Sequence, residues 1–132
     1  MTEISLWLAV GTGGAAGAVL RGLLFRAVER RSPAGQQTAS DAARSTLIVN
    51  VLGSLLLGSI LGRIPNPSAG LSDPALVFWV TGLCGAVTTF STLCEDAIGL
   101  ARRGRRVQVA VVLLANTLLG IAALMLGLAT AG

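Results

Sequence analysis

Residues 81–92 read TGLCGAVTTFST, and this stretch decides the fold of the chain. It lies in the middle of a hydrophobic segment that is long enough to cross a bilayer. A helix interior disfavours such a composition, because each glycine costs about 1 kcal/mol relative to alanine and threonine is a poor helix former. In lipid, an interrupted helix is tolerated only where its backbone is buried in protein or lines a watery cavity. The stretch therefore predicts a helix that is broken at mid-membrane and offers carbonyls and hydroxyls to an ion.

The composition of the whole chain indicates a membrane protein. Its 132 residues are 53% hydrophobic and only 12% charged, with a mean hydropathy of +0.77. This is too apolar for a soluble domain, and the length suits about four spans of roughly 20 residues each. We therefore predict an all-α integral membrane protein, a single domain over residues 1–132, with transmembrane helices at about 4–25, 45–62, 74–100 and 107–129.

The basic residues predict an orientation in the membrane. All ten are arginines, and all but Arg21 lie in short loops and their flanks rather than on an amphipathic face, so the pI of 11.1 does not indicate a nucleic-acid partner. The first and third loops with their flanks carry eight of the ten, whereas the second loop carries only Arg63. By the positive-inside rule, loops one and three are cytoplasmic and both termini lie outside.

The sequence offers no catalytic site. There is no histidine, so the commonest general base and metal ligand is missing and no serine or threonine has its usual activating partner. Glu95 and Asp96 are adjacent, so they do not share a helix face, and both lie toward the far end of the third span. Because a proton-driven transporter normally uses a carboxylate at mid-membrane, a passive path is favoured.

Several polar residues inside the spans suit an anion. Asn50 lies in the middle of the second span, with Thr46 one turn earlier on the same face, and it either bonds another helix or meets a solute. Arg21 either snorkels to the membrane edge or places a fixed positive charge at the mouth of an anion path. Hydroxyl and amide N–H groups donate hydrogen bonds, and the ring edge of Phe90 is electropositive. Carbonyls released by a broken helix would suit a hard cation such as Na⁺.

Three motifs, in the first, second and third spans, resemble those of the Fluc (CrcB) fluoride channels, and the resemblance extends over all four spans in order. They are Gly14-x-x-Gly17-x-x-x-Arg21, Asn50-x-x-Gly53 and Gly82-x-x-Gly85-x-x-Thr88-Thr89-Phe90-Ser91-Thr92. The resemblance implies four-helix subunits that assemble as an antiparallel dimer in the bacterial plasma membrane. It also implies passive, selective export of fluoride from the cytoplasm, which relieves fluoride toxicity.

The resemblance further assigns individual residues by motif position. The expected fluoride pathway comprises Asn50, Thr46, Phe90, Ser91, Thr92 and, in the vestibule, Arg21. A structural Na⁺ is expected at the dimer centre, held by the backbone carbonyls of Gly85 and Thr88. The expected partners are thus fluoride, the lipid bilayer and a homologous subunit.

Two departures from the family pattern bear on the partner subunit. Leu93 stands where the family usually has a second phenylalanine. The family also tends to have a hydroxyl near the pore in its fourth span, and in this chain, which has no tyrosine, only Thr117 could serve there. The strong arginine bias predicts a single orientation, which favours a heterodimer with an oppositely biased homologue over a homodimer. The alternatives are a non-conducting structural partner subunit of a fluoride channel, or a small dimeric multidrug or cation transporter. A titratable carboxylate inside the first span would favour the transporter, and the sequence has none there.

Overall fold

The computed structural model describes residues 3–30, 38–64 and 73–131. Within these residues, four helical segments are long and apolar enough to cross a membrane. None of the described residues belongs to a β-strand. These segments are α1 (Glu3–Glu29), α2 (Ala39–Leu61), the third span (Pro74–Arg102) and α5 (Arg106–Ala131). The predicted all-α fold with four transmembrane helices is confirmed.

The third span is interrupted, as predicted. Its first part, α3 (residues 74–87), is α-helical at Pro74–Leu76, π-helical at Val77–Cys84 and α-helical again at Gly85–Val87. Thr88 and Thr89 then adopt extended backbone conformations, with ψ of 150° and 118°. The chain resumes as α4 (Phe90–Arg102). The break therefore falls at the Thr-Thr pair, and the π-helical turns before it widen α3 where glycine and threonine lower helix preference.

The second helix begins earlier than the sequence suggested. It starts at Ala39 rather than near Ser45, so the predicted loop was wrong for residues 39–44. Thr38 is the N-cap, and Asp41 in the first turn completes a capping box with it. The Thr38 N–H donates to Asp41 Oδ2 at 3.0 Å, and the Asp41 N–H donates to Thr38 Oγ1 at 3.3 Å. Residues 31–37 and 65–72, which belong to the first and second predicted loops, lie outside the described residues.

Glycines set the close approach of α1 to α3. A Cβ atom added to Gly13 or Gly17 would collide with backbone carbonyls of α3. A Cβ atom added to Gly11 or Gly14 of the same helix would meet nothing within 4 Å. Gly13 and Gly17 are therefore the glycines that position α3 against α1 through backbone contact.

The second helix pair, α2 with α5, uses the same device. A Cβ at Gly58 would collide with the Leu124 carbonyl, and one at Gly127 with the Leu55 carbonyl. Between the two pairs lies a small apolar core of Val49, Leu83, Cys84 and Val87. This packing places the middle of α2 directly against the break in the third span.

Candidate functional site

The break is held open by the side chain of Asn50. The Thr89 N–H donates to Asn50 Oδ1 at 2.8 Å, and Asn50 Nδ2 donates to the Thr89 carbonyl at 3.2 Å. One amide side chain therefore satisfies both backbone groups of a residue that a continuous helix would have satisfied internally. In lipid, where water is not available for these groups, this pairing is what makes the extended conformation tolerable.

Asn116 on α5 completes this arrangement. Its Oδ1 accepts the second Nδ2 proton of Asn50 at 3.0 Å, and its own Nδ2 donates to the Val112 carbonyl at 3.0 Å. Asn116 is only 7% exposed. We call Asn50, Thr89 and Asn116 the break clamp. Because both amide protons of Asn50 are used, the structure favours the interhelical reading of this residue, and its place on the fluoride pathway stays a prediction.

The clamp also changes the environment of the Gly85 carbonyl. In a continuous α-helix the Thr89 N–H would donate to that carbonyl, but here it donates to Asn50 instead. Gly85 is exposed on the subunit surface. The Thr88 hydroxyl donates to the Cys84 carbonyl at 3.2 Å, so Thr88 turns its side chain back onto α3. A carbonyl released in this way is the type of ligand that a hard cation prefers, so the residues present fit Na⁺.

Beside the break lies a polar cavity of about 370 Å³ between α1, α2 and α4. Its lining residues are Arg21, Phe25, Glu29, Ala42, Thr46, Thr89, Ser91, Thr92 and Asp96. Four residues of the predicted pathway are thus brought together, whereas Asn50 and Phe90 do not line this cavity. Asp96, which the sequence placed toward the far end of the third span, is a further lining residue of this cavity.

The hydroxyl groups of the cavity form two hydrogen-bonded sets. Thr89 Oγ1 lies 2.9 Å from Thr92 Oγ1 and 3.3 Å from Ser91 Oγ, and it accepts from the Thr92 N–H at 3.2 Å as the cap of α4. Across the cavity, Thr46 donates to Asp96 Oδ2 at 2.6 Å. These groups are donors that can reorient, so the wall of the cavity can present O–H groups to an anion.

Phe90 and Leu93, which occupy the family's two phenylalanine positions, differ in their exposure. Phe90 is 77% exposed, so its ring does not pack within the subunit. Leu93 is only 7% exposed and belongs to the interior. Thr117 is exposed and its hydroxyl donates to the Leu113 carbonyl of its own helix, so it does not reach the cavity.

Four spans, a clamped helix break and a hydroxyl-lined cavity define a multi-pass membrane transport protein. Residues 8–128 match the family described as CrcB-like protein, Camphor Resistance (CrcB). A relative from Frankia casuarinae, named fluoride-specific ion channel FluC 1, is 39% identical over 130 residues and covers 95% of each chain. Relatives from Nitrobacter winogradskyi (FluC; 35% identical, 92% of this chain and 90% of the relative) and Rhodococcus jostii (FluC 2; 36%, 91% and 93%) agree.

The chain belongs to the CrcB family of fluoride channels. The predicted resemblance is thereby confirmed, as is the prediction that the protein is a channel of the membrane and not an enzyme. Asn116 and Asp96 are the residues that the sequence reasoning missed. An asparagine and a carboxylate inside apolar spans are themselves a signal, because intramembrane polar groups are costly and are kept where they have partners or a solute.

Proposed function

We propose that this chain is a subunit of a passive, fluoride-selective channel that exports fluoride from the cytoplasm. The observation that carries this proposal is the polar cavity beside the clamped break, in a chain whose relatives are named fluoride-specific channels. Ser91 and Thr92 supply hydroxyl donors and Arg21 supplies a positive charge, which together suit a small anion with strong hydrogen-bond acceptance. No carboxylate lies in the interior of the first span, between Glu3 and Glu29 at its two ends, which disfavours the alternative of a multidrug or cation transporter.

The proposed channel is an antiparallel dimer with a structural Na⁺ at its centre. The carbonyls of Gly85 and Thr88 would hold the ion, and a second subunit would supply the same pair from its own broken helix. The released carbonyl of Gly85 and the surface position of that residue support this proposal. So does the 77% exposure of Phe90, which a partner could cover. The bound cation would offset the loss of the Thr89 N–H as a donor to the Gly85 carbonyl.

We further propose that the partner is a homologous subunit of opposite orientation. Loops one and three with their flanks carry eight of the ten arginines, which favours one orientation with those loops in the cytoplasm. Relatives carry the names FluC 1 and FluC 2, as expected for organisms with more than one copy. Leu93 is buried and replaces the second phenylalanine. This fits a subunit whose partner supplies the missing phenylalanine ring to the pore, or a structural subunit that does not itself conduct.

The test is fluoride efflux from liposomes that contain the purified chain alone, followed with a fluoride electrode and with chloride as the control anion. Rapid efflux of fluoride but not of chloride would establish the channel. It would also show that this polypeptide pairs with itself, which would contradict the proposed heterodimer. If the chain alone is silent, the assay is repeated with an oppositely biased homologue in the same vesicles. Silence of the pair would refute conduction by this subunit. Replacing Na⁺ by a large organic cation during purification tests the cation.

A further inference from the structure

We propose that the groove between α2 and α5 is a binding site for an anionic phospholipid. The lipid phosphate would lie between the guanidinium groups of Arg44 and Arg105, and one acyl chain would fill the groove beneath them. This groove is separate from the polar cavity beside the break, so the proposal does not depend on which ion the channel conducts.

The groove is an apolar cavity of about 300 Å³. Its mouth is formed by Ser40, Arg44 and Gln108, near the residues where α2 and α5 begin. Among the described residues that line it below this mouth, only Asn116 is polar, and its side chain is bonded to Asn50 and to the Val112 carbonyl. Such a wall suits hydrocarbon and gives a permeating anion little to bind. The aliphatic lining residues are Ala43, Leu47, Leu100, Val111, Val112 and Ala115.

Two guanidinium groups are available at the groove mouth. Arg105 Nη1 donates to Ser40 Oγ at 3.2 Å and to Gln108 Oε1 at 3.3 Å, so this side chain is held across the mouth. The Nε and Nη2 groups of Arg105 have no hydrogen-bond partner among the described residues. Arg44 is exposed, and its guanidinium likewise has none there. Guanidinium N–H groups arranged as a fork match the oxygen atoms of a phosphate, which they bind in a bidentate manner.

The charges around the mouth are mainly positive. The neighbouring carboxylate is Asp41, which interacts with Arg44, but its Oδ2 atom already accepts from the N–H and the hydroxyl of Thr38. Residues 97–132 contain no aspartate or glutamate, and the loop that carries Arg105 also carries Arg102, Arg103 and Arg106. Arginine clusters at the ends of membrane spans attract anionic lipid headgroups, and basic pockets between such spans bind them.

The apolar part of the groove favours a phospholipid over a free phosphate ion. Ser40 and Leu47 on α2, like Gln108 and Ala115 on α5, lie about 10 Å apart along their helices, from the mouth toward mid-membrane. An acyl chain beneath a headgroup runs in this direction through a hydrocarbon layer of about 15 Å per leaflet. A phosphate ion would use the mouth alone. Because the chain would reach Asn116 of the break clamp, a bound lipid should hold α5 against α2 and stabilise the subunit.

The test is lipid binding by the purified full-length chain in detergent. Dioleoyl phosphatidylglycerol is compared with dioleoyl phosphatidylcholine, by native mass spectrometry for affinity and by circular dichroism for the unfolding temperature. We expect phosphatidylglycerol to bind about tenfold more tightly and to raise the unfolding temperature more. Arg44→Gln and Arg105→Gln should each weaken phosphatidylglycerol binding about fivefold and leave phosphatidylcholine binding unchanged. Arg103→Gln, in the same loop but outside the groove lining, is the control and should bind within about twofold of the unsubstituted chain.

A second set of variants tests the acyl-chain part of the groove with both arginines intact. Ala115→Phe places a ring in the groove and should reduce phosphatidylglycerol binding about tenfold, to the level of phosphatidylcholine. Leu114→Phe, an exposed neighbour on the same helix outside the groove lining, is the matched control and should bind normally. If Ala115→Phe does not fold, Val111→Phe replaces it, because Val111 lines the groove but is 58% exposed.

Four results would overturn the proposal. The first is equal affinity for the two lipids, and the second is unchanged phosphatidylglycerol binding in both arginine variants. The third is stabilisation by inorganic phosphate equal to that by phosphatidylglycerol, which would indicate a site for the anion alone. The fourth is a loss of oligomer in Ala115→Phe, seen by size-exclusion chromatography, with lipid binding unchanged; this would identify a protein partner as the occupant of the groove. None of these measurements uses fluoride efflux, so failure of the proposed channel function would leave this proposal standing.

Discussion

Two polar regions of this protein meet at Thr89, and they use the same kinds of side chain for different ends. The backbone of Thr89 belongs to the break clamp, and its hydroxyl belongs to the polar cavity. In the clamp, the amide protons of Asn50 and the backbone groups of Thr89 all have protein partners. In the cavity, hydroxyls share protons over 2.9–3.3 Å, and charged groups remain partly accessible. A polar residue in a membrane span can thus fix the backbone or remain available to a solute.

The difference has an energetic cause. A buried polar group without a partner costs free energy in proportion to how little water can reach it, so the clamp must be complete to exist in lipid. The cavity has room for water or an ion, so its groups need not be satisfied by protein alone. We therefore expect substitutions in the clamp to lower the free energy of unfolding, and substitutions in the cavity to change ion flux at constant stability.

The largest effect is expected for Asn50→Leu. Leucine is similar in size but leaves the Thr89 N–H and carbonyl and the Asn116 Oδ1 atom without their partner. At about 1–3 kcal/mol for each unsatisfied group, the loss should exceed about 3 kcal/mol of unfolding free energy, and flux should vanish with the broken geometry. Thermal unfolding in detergent and liposome efflux measure the two consequences.

Ser59→Ala is the matched control for Asn50→Leu on the same helix. The Ser59 hydroxyl donates only to the Leu55 carbonyl of its own helix, at 2.9 Å, so its removal should change stability by about 0.5 kcal/mol or less. If Asn50→Leu unfolds at the same temperature as the control, the clamp does not hold the break and the contrast between the two regions fails.

Asn116→Leu should also lower the free energy of unfolding, but by less than Asn50→Leu does. It removes one partner of Asn50 and leaves the two bonds to Thr89 in place. We expect a loss of about 1–3 kcal/mol in unfolding free energy, from one buried N–H group left unpaired, with measurable flux retained. Thr130→Val on the same helix, whose hydroxyl donates to the Leu126 carbonyl, is the control. A loss as large as that of Asn50→Leu would mean that Asn116 fixes the break directly.

The sequence predicted the backbone features of the break better than the partners of its side chains. Glycine and threonine in an apolar segment predicted an interruption, because their effects on helix stability are local. The spacing of Arg21, Thr46, Ser91 and Thr92 along their spans, read through the family resemblance, selected residues that do line one cavity. The hydrogen bond from Thr46 to Asp96 could not be predicted from the sequence, because the distance between these side chains is set by how α2 packs on α4.

The hydrogen-bond partners of Asn50 were likewise beyond prediction from the sequence. The sequence left open whether it bonds a helix or a solute, and the decision depends on Thr89 and Asn116, which are 39 and 66 residues away in the chain. Likewise, glycines stand at positions 11, 13, 14 and 17 of the sequence, but an added Cβ atom would collide with α3 only at Gly13 and Gly17. Local preferences predict elements, whereas the pairing of polar groups requires the packed structure.

The smallest effect on stability, and the clearest on flux, is expected for Arg21→Gln in the cavity. Arg21 is half-buried and lines the cavity, so removing its charge should slow fluoride efflux, most strongly at low ionic strength where the charge is least screened. Unfolding should shift by no more than about 0.5 kcal/mol, because no group in the clamp loses a partner. Arg26→Gln, an exposed arginine farther along α1 that does not line the cavity, is the control and should conduct normally. Equal flux in both variants would mean that Arg21 only snorkels to the membrane edge. A large loss of stability in Arg21→Gln would mean that the cavity, like the clamp, holds the fold together.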